Sequence, residues 1–414
     1  MSSSDSVVIV GAGHAGGTAA VFLRQFGFAG AITLIGEESL APYQRPPLSK
    51  TWLKGDARVE SLLLRPLDFY AQHAIGLRLG VRVEAIDRAA KSVRLGDGEQ
   101  VPYDRLVLAT GRRARRLNVP GADLDGVLEL RTVADADRLK AMLGVPGRRL
   151  VVIGGGYIGL EAAAAARALG AAVTVIEKEP RVLARVACEL LSRFYQDYHR
   201  EHGVVFELGC GVDSIEGRDG HASGVRLSDG RRVEADAVLV GVGGVANDEL
   251  ARAAGLDCAN GIRVDLSART SDPAIHAIGD CSYRPLPHYH RDGVLESVQN
   301  AMEQARQAAC DIAGRPMPPP EVPWFWSDQY DLKLQIAGLA HDVVQTVVRG
   351  EPLAGAGRAR FAVFHLSADR RVQAVEAINA VSEFMTGKQL IASRKPVDVA
   401  RLADPGQAMK DVVA

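Results

Sequence analysis

The sequence predicts an α/β fold of two similar halves, each built on a parallel sheet, followed by a separate C-terminal α+β portion. Three observations predict it. Two glycine-rich loops with the pattern G-x-G-x-x-G begin at Gly11 and Gly154, 143 residues apart. A segment that starts at Val93 recurs without gaps from Val225. A linker with five prolines between Pro316 and Pro323 then separates the last portion, which has no glycine-rich loop of this kind.

The first glycine loop lies between a predicted strand and a predicted helix. Val7-Val8-Ile9-Val10 is typical of a buried parallel strand, and Gly17 to Phe26 of a helix that ends at Gly27. A second apolar strand leads to Glu37, 26 residues after the first glycine. Such glycines let the backbone approach a pyrophosphate at the helix N-terminus, and an acid at this separation accepts ribose hydroxyls. The segment therefore predicts a dinucleotide site.

The second loop has the same surroundings. Leu150-Val151-Val152-Ile153 precedes it, a helix from Ile158 to Leu169 follows and ends at Gly170, and the next strand ends at Glu177, 23 residues after the first glycine. Both segments could be ordinary strand-turn-helix units whose glycines only pack. Strand, loop, helix, strand and acid nevertheless occur in this order twice, which favours two dinucleotides and electron transfer between them.

The second repeat supports the duplication. Residues 93–111 align with residues 225–243, with eight of nineteen positions identical. Each copy contains an Asp-Gly pair, which predicts a hairpin with a type I′ turn. The apolar strands that follow, Leu106 to Ala109 and Val238 to Val242, are expected to return to the buried sheets. Two unrelated hairpins are the alternative.

Composition excludes several functional classes. The net charge of −1 gives no electrostatic reason to expect binding to nucleic acid or to an anionic membrane. The five cysteines form no C-x-x-C pair, so we expect no disulfide framework, no metal site and a reducing, cytoplasmic compartment. Met1-Ser2-Ser3-Ser4-Asp5 lacks the basic start of a signal peptide. The apolar stretch from 150 to 176 is interrupted by charges and glycines, so no membrane span is expected.

Further motifs resemble those of the glutathione-reductase-fold flavoproteins, and among them the NADH-dependent ferredoxin reductases. The resemblance covers essentially the whole chain. Besides the two loops, it is carried by Arg45-Pro46-Pro47-Leu48-Ser49-Lys50, Ala109-Thr110-Gly111, Ile278-Gly279-Asp280 and Pro323-Trp324-Phe325-Trp326-Ser327-Asp328-Gln329-Tyr330.

The resemblance implies two Rossmann-like, glutathione-reductase-type domains, with FAD on the first loop and NADH on the second. The FAD domain would comprise residues 1–112 and 243–320, the NAD domain 113–242 and the C-terminal domain 321–414. The implied FAD-binding residues are Gly11, Gly13, Ala15, Gly16, Glu37, Arg45, Lys50, Val83, Ala109, Thr110, Gly111, Arg131, Asp280, Val298 and Trp326. The implied NADH-binding residues are Gly154, Gly156, Tyr157, Ile158, Gly159, Glu177 and Gly243.

Two of these residues have specific implied roles. Asp280 would hold the ribityl chain of FAD, although a turn aspartate that bonds to local backbone is the alternative. Trp326 would shield one face of the flavin, although it could simply be a core residue. The turn at Gly243-Gly244-Val245-Ala246-Asn247 has Ala246 where the family has proline, which puts the geometry of the nicotinamide-side turn in doubt.

No cysteine precedes Cys188, so the redox-active cysteine pair that disulfide reductases carry beside the flavin is absent. A dithiol or disulfide substrate is therefore improbable. By resemblance, Lys50 would lie near the flavin N5 edge and pair with Glu161 from the second nucleotide helix, and these two are the expected catalytic residues. A solvated lysine and an ordinary helix glutamate are the alternative.

The acid after the second loop predicts a preference for NADH over NADPH. Glu177 would bond the 2′-hydroxyl of NADH and repel a 2′-phosphate. Lys178 and Arg181 weaken this inference, because a basic residue nearby accommodates a 2′-phosphate.

The resulting expectation is an NADH:ferredoxin oxidoreductase whose partner is an acidic [2Fe–2S] ferredoxin that feeds a cytochrome P450 monooxygenase or a ring-hydroxylating dioxygenase. Arg65, Arg306 and Lys333 could face the ferredoxin, or could be ordinary surface residues. The alternatives are an NADH oxidase or peroxidase, which normally needs a cysteine beside the flavin, and a non-enzymatic flavin-stabilised signalling protein, whose nucleic-acid binding needs positive charge. A monomer or weak dimer is expected.

Overall fold

The computed structural model describes residues 5–145, 147–352 and 359–414. These residues form two compact units. The first unit contains the described part of Met1–Gln44 together with Val59–Arg113 and Val245–Phe325, and the second contains Arg45–Arg58 with the described parts of Ala114–Gly244 and Trp326–Ala414. The division into three domains stays a prediction. Met1 to Ser4, on which the expectation of no signal peptide rests, lie outside the described residues.

Strands and helices alternate along most of the chain. Up to Ala114 they are β1 (Ser6–Val10), α1 (His14–Gln25), β2 (Ala31–Gly36), α2 (Thr51–Lys54), α3 (Val59–Leu62), α4 (Leu67–Gln72), β3 (Ile75–Leu79), β4 (Val83–Asp87), β5 (Ser92–Leu95), β6 (Gln100–Pro102), β7 (Arg105–Leu108) and β8 (Arg112–Ala114). Up to Ala246 they are β9 (Val127–Leu128), α5 (Val133–Leu143), β10 (Arg149–Ile153), α6 (Tyr157–Ala168), β11 (Ala172–Glu177), α7 (Glu189–Glu201), β12 (Val204–Leu208), β13 (Val212–Arg218), β14 (His221–Leu227), β15 (Arg232–Glu234), β16 (Ala237–Val240) and β17 (Gly244–Ala246).

The remaining elements complete the first unit and form the C-terminal portion. They are α8 (Glu249–Ala253), β18 (Cys258–Ala259), β19 (Gly261–Arg263), β20 (Ile275–Ala277), β21 (Ser282–Leu286), β22 (Arg291–Gly293), α9 (Val298–Ile312), β23 (Trp324–Gln329), β24 (Leu332–Gly338), β25 (Gln345–Glu351), β26 (Arg360–Leu366), β27 (Val372–Ile378), α10 (Val381–Ser393) and α11 (Val399–Ala403).

The first unit is built on a parallel sheet with the strand order β20-β7-β1-β2-β3. Its central strand β1 is buried, with Val7 to Val10 at most 5% exposed. Helices α1 and α9 cover the face of Val7 and Ile9, and a second cluster with residues of β4 and β5 covers the face of Val8 and Val10. The predicted strand and helix are confirmed. Helix α1 begins at His14, three residues earlier than predicted, and Gly27 after its end has a φ of +85°, as a left-handed cap requires.

The second unit contains a parallel sheet with the corresponding order β12-β11-β10-β16-β9. Four strands of each sheet therefore occupy equivalent places, which confirms the predicted duplication. The fifth strand differs. In the first unit it is β20, which comes late in the chain, and in the second it is β9, which precedes β10.

The predicted hairpins are confirmed, but the predicted type I′ turn is wrong. In the first hairpin Gly98 has a φ of +89° while Asp97 has no positive φ, and Leu95 N–H donates to Glu99 O across a three-residue loop. The second hairpin has the same pattern, with Gly230 at +86° and Leu227 N–H bonded to Arg231 O. Each loop is thus one residue longer than the two-residue loop of a type I′ hairpin, and it forms a type I turn followed by a glycine bulge.

The C-terminal portion is an α+β structure, as predicted. Strands β23 to β27 form a sheet with the order β23-β24-β27-β26-β25, and helix α10 packs against β27 and β24. The pairs β24–β27, β27–β26 and β26–β25 are antiparallel. In the part of the chain that the structure describes, no helix combines the length and apolar composition needed to cross a bilayer.

Candidate nucleotide-binding and active sites

The first glycine loop needs glycine for two different reasons. A Cβ on Gly11, whose φ is +111°, would lie 2.2 Å from the Ala109 carbonyl oxygen, and one on Gly16 would lie 2.0 Å from the Gly11 oxygen. These two glycines let the loop pack against its own strand and helix. Gly13 is different, because a Cβ there would meet no atom within 4 Å. Its missing side chain leaves open space in front of helix α1.

That open space is suited to an anion. Gly13 and Gly156 are the N-cap residues of α1 and α6, and neither helix has a capping side chain or an acidic residue in its first turn. The first N–H groups of both helices are thus left for a ligand, and the helix dipole favours a negative one. A Cβ on Gly156 would also meet nothing within 4 Å. Both loops fit a dinucleotide pyrophosphate.

His14, at the start of α1, also fits a bound group. Its Nδ1 is buried and hydrogen-bonds to nothing in the described residues. Burial lowers the pKa of His14 to about 4, so the imidazole is neutral at pH 7. A buried polar atom without a partner is costly in a folded protein, which indicates a ligand at this place.

The other expected FAD residues of the first unit follow the carboxyl ends of neighbouring strands. Ala109 to Gly111 follow β7, Glu37 follows β2 and Asp280 lies just after β20. A Cβ on Gly279 would lie 2.9 Å from the Ala15 Cβ, so the Asp280 segment lies against the start of α1. The structure therefore brings these residues to one edge of the sheet, where open α/β sheets bind ligands.

Three expected FAD residues of the first unit differ in exposure and position: Glu37, Val83 and Val298. Glu37 is exposed and its carboxylate lies 3.8 Å from Arg82. Val83 is the buried first residue of β4, and Val298 is the first residue of α9.

The turn at Ala246 is held without the family's proline. Thr110 Oγ1 donates to the Asn247 carbonyl at 2.6 Å, and Asn247 Nδ2 donates to the Thr110 carbonyl at 2.8 Å. The Asn247 N–H also donates to Gly111 O. Sequence reasoning gave Asn247 no role, although it is part of the Gly243–Asn247 motif.

In the second loop, the carboxylate of Glu177, the acid predicted from the sequence, bonds to the loop backbone. Glu177 Oε2 accepts the Gly155 N–H at 2.7 Å, and Oε1 accepts the Glu179 N–H at 3.0 Å. The carboxylate is thus fixed beside the loop, at the end of β11. Gly243, with a φ of +98°, follows the neighbouring strand β16. Ile158, in the first turn of α6, is exposed.

Tyr157, the first residue of α6, faces the segment before α7. Its hydroxyl donates to the Val186 carbonyl at 3.3 Å. Burial, followed by the charge of Glu376, raises the pKa of Tyr157 well above its ordinary value, so the phenol stays a neutral donor.

Lys50 and Glu161 form an ion pair inside the second unit. Lys50 Nζ lies 2.6 Å from Glu161 Oε2, and the two side chains are 16% and 6% exposed. The expected pairing is therefore present. It joins the segment before α2 to helix α6.

Two serines that sequence reasoning left without a role complete this cluster. Ser49 Oγ donates to Glu161 Oε2 at 2.5 Å, and Ser327 Oγ donates to Glu161 Oε1 at 2.6 Å. Both carboxylate oxygens are thus occupied, as a buried charge requires. Both serines lie in motifs that carry the family resemblance, so the pattern contained them without indicating their function.

The other expected FAD residues of the second unit are Arg45, Arg131 and Trp326. Arg45 Nη1 donates to the Arg131 carbonyl at 2.7 Å. Trp326 is half-buried on β23, next to Ser327.

Comparisons with known proteins agree with this architecture. The family model "Pyridine nucleotide-disulphide oxidoreductase" matches residues 5–305, and "Reductase C-terminal" matches residues 324–413. A probable ferredoxin reductase of Castellaniella defragrans is 52% identical over 406 residues, covering 98% of both chains. The ferredoxin–NAD(+) reductase component of the anthranilate 1,2-dioxygenase system of Burkholderia cepacia is 44% identical, covering 99% of both chains.

A solved structure is also similar over nearly the whole chain. The reductase in the crystal structure of the covalent putidaredoxin reductase–putidaredoxin complex superposes with a TM-score of 0.95, with 42% identity and 99% and 98% of the two chains covered. The predicted resemblance and fold class are confirmed. Proteins of this family use FAD and a nicotinamide nucleotide, which the two open helix N-termini fit.

Because the family model covers most of the chain and the relatives align over nearly all of it, this protein belongs to the pyridine nucleotide-disulphide oxidoreductases and carries their C-terminal reductase domain.

Proposed function

We propose that the protein is an FAD-dependent NADH:ferredoxin oxidoreductase whose [2Fe–2S] ferredoxin supplies a cytochrome P450 monooxygenase or a ring-hydroxylating dioxygenase. The observation that carries the proposal is a pair of open nucleotide loops in a chain without any cysteine before Cys188. The printed names of the relatives, which include a reductase bound to putidaredoxin and a dioxygenase reductase component, support the same partner class.

FAD, when bound, accepts a hydride from NADH and gives up its electrons one at a time, as an iron–sulfur acceptor requires. The chain contributes binding and orientation. The N–H groups after Gly13 would hold the FAD pyrophosphate, and those after Gly156 would hold the pyrophosphate of NADH. We propose that Asp280 and Glu37 bind the ribityl and ribose hydroxyls of FAD, and that Trp326 shields one face of the flavin.

We propose that Lys50 contacts the flavin N5 edge, as the resemblance implies. Support comes from the cluster around it. Glu161 fixes the ammonium at 2.6 Å, and Ser327 and Ser49 fix the carboxylate in turn. Such a cluster holds one positive charge in a defined place, which is an orienting role and not a proton transfer.

We also propose that NADH is preferred to NADPH. The Glu177 carboxylate lies beside the second loop, where it would repel a 2′-phosphate. Arg181, which could have favoured a 2′-phosphate, donates to the Ala184 and Ala187 carbonyls instead. Lys178 remains exposed.

A further part of the proposal is a cytoplasmic location. All five cysteines are free thiols, and three of them are buried. Free thiols of this kind persist in a reducing compartment. Fractionation of the native host cells tests this, and recovery in an extracytoplasmic fraction would contradict it.

One assay tests the central proposal. The purified yellow protein is mixed with NADH and a [2Fe–2S] ferredoxin, and ferredoxin reduction is compared with oxygen consumption. We expect ferredoxin reduction to be at least about tenfold faster, since no cysteine is placed to support peroxide chemistry. Rapid NADH oxidation in air beside slow ferredoxin reduction would instead favour an NADH oxidase. Absence of any NADH oxidation would favour a non-enzymatic flavoprotein.

A second experiment tests Lys50. Lys50→Ala should slow anaerobic flavin reduction by NADH, while Lys54→Ala should not, since Lys54 is 39% exposed and pairs with the exposed Asp56 at 3.4 Å. An unchanged reduction rate in Lys50→Ala would remove Lys50 from the active site.

A further inference from the structure

Three side chains that are far apart in the sequence meet within the second unit. Cys188 immediately precedes helix α7, His365 lies on strand β26 and Glu376 lies on strand β27. A sulfur, an imidazole nitrogen and a carboxylate oxygen of these residues all lie within 4.8 Å of one another. None of the three belongs to the nucleotide loops or to the Lys50–Glu161 cluster.

Strand register explains why His365 and Glu376 meet. Glu376 pairs with Val363, and His365 is two residues further along the same strand. Residues two apart on a strand share a face, so His365 and Glu376 are diagonal neighbours on one side of the sheet. His365 Nε2 lies 3.6 Å from Glu376 Oε2, which is too far for a hydrogen bond.

His365 is the second observation that points to a ligand. Its side chain is 5% exposed, and Nε2 has no hydrogen-bond partner among the described residues. A buried ring nitrogen without a partner costs free energy unless something fills the gap. A nitrogen, an oxygen and a sulfur thus surround one gap, and a single ion that accepts all three ligand types would fill it.

Glu376 is already oriented for this purpose. Its Oε1 and Oε2 share the Cys188 N–H, at 3.0 and 3.4 Å, and Oε2 is also the oxygen nearest to His365. The backbone N–H thus fixes the direction of the carboxylate, as hydrogen bonds do for metal-ligating carboxylates.

The donor set indicates the ion. One sulfur, one nitrogen and one oxygen suit zinc, whereas magnesium and calcium prefer oxygen ligands throughout. Across a tetrahedral zinc ion the ligand atoms are about 3.4 to 3.6 Å apart, by the usual bond lengths. The separation of 3.6 Å between His365 and Glu376 lies at the upper end of this range. The Cys188 sulfur caps α7 by accepting the Leu191 N–H at 3.5 Å, and a zinc-bound sulfur can keep such a hydrogen bond. We propose that Cys188, His365 and Glu376 bind one Zn²⁺ ion, with a water molecule as the fourth ligand.

The position of this zinc site suggests a stabilising role. The ligands connect the start of α7 to strands β26 and β27. Val186, two residues before Cys188, accepts the hydrogen bond from Tyr157 at the second glycine loop. A bound ion would therefore hold the segment beside that loop in place. Zinc has no redox chemistry, so it would take no part in electron transfer.

Metal titration of the chelator-treated flavoprotein tests the proposal. Zn²⁺ is followed by calorimetry, and Co²⁺ by its ligand-field bands on the red side of the oxidised flavin absorption. We expect one ion per chain, tetrahedral cobalt bands, and a higher melting temperature with zinc because only the folded state binds it. Cys188→Ser and His365→Gln should each weaken binding at least about 100-fold.

Cys258→Ser is the matched control, because Cys258 is also half-buried but lies outside the cluster. It should bind zinc like the original protein. Flavin absorbance and the melting temperature in chelator show whether each variant is folded. If Cys188→Ser does not fold, His365→Gln alone tests the site. Unchanged affinity in a folded Cys188 or His365 variant, or no binding of one ion per chain, would overturn the proposal.

Discussion

Substitution of Gly156 by serine separates what the protein fold needs at the second loop from what NADH needs. Gly156 is the N-cap of α6, with φ −82° and ψ 179°, a conformation that serine adopts freely. A Cβ there would meet no protein atom within 4 Å. Serine is also a good N-cap, so the free energy of unfolding should stay the same or rise by a few tenths of a kcal/mol, about the serine-to-glycine difference.

Binding of NADH should become weaker in the same variant, although the folded state is not destabilised. A pyrophosphate oxygen bonded to the helix N–H groups would lie about 2.9 Å from their nitrogens. The Gly156→Ser side chain would occupy that space, and its hydroxyl would accept one of the same N–H groups. Loss of one hydrogen bond to a charged group costs about 1.5 to 3 kcal/mol. The apparent Kd for NADH should therefore rise about 10- to 150-fold.

The assay is anaerobic stopped-flow reduction of the flavin at increasing NADH concentration, with flavin content and melting temperature measured on the same samples. Gly96→Ser is the control, because Gly96 lies in a surface hairpin of the first unit, where the nearest atom to a Cβ is 3.6 Å away. An unchanged Kd in Gly156→Ser, with the flavin retained, would refute the placement of the pyrophosphate at this helix.

Two further predictions concern buried ionisable groups. Glu161→Gln leaves the Lys50 ammonium without its carboxylate partner. The free energy of unfolding in urea should fall by about 3 kcal/mol, the low end for a buried pair because Lys50 is 16% exposed. Asp56→Asn, whose carboxylate is 60% exposed, should change it by less than about 0.5 kcal/mol, and equal effects would contradict the argument. Burial lowers the pKa of His199 from 6.5 to about 4, so on acidification the unfolded chain is protonated at this residue before the folded chain is. The free energy of unfolding should therefore fall by about 3 kcal/mol as the pH decreases from 6.5 to 4. His199→Gln should flatten this part of the unfolding profile, and an unchanged slope would contradict the assignment.

The loops and their strands were predictable because their causes are local. An apolar strand, glycines at fixed offsets and an acid after the next strand are all visible within about thirty residues. The turn type was not predictable from Asp97-Gly98 alone. The pair is compatible with two hairpin loops, and the strand pairing of Leu95 with Glu99 decided between them.

The surroundings of Glu161 show the limit of motif reasoning. Its partner Lys50 was expected from the resemblance, but Ser327, 166 residues further along the chain, was not. A serine has no distinctive pattern in a sequence, and only the position of strand β23 beside helix α6 gives it a function.

By itself, the sequence determined the duplicated nucleotide-binding halves and the place of each glycine loop, since these depend on neighbouring residues, and it showed that no cysteine precedes Cys188. The tertiary structure alone decided which strand completes each sheet and which distant side chains meet. The absence of a C-x-x-C pair led to the expectation of no metal site, which stays a prediction. The zinc proposal departs from it because strand register and the start of α7 bring Cys188, His365 and Glu376 within 4.8 Å. Ligands separated by 177 and 11 residues leave no spacing pattern, because chain folding and not sequence distance sets their proximity.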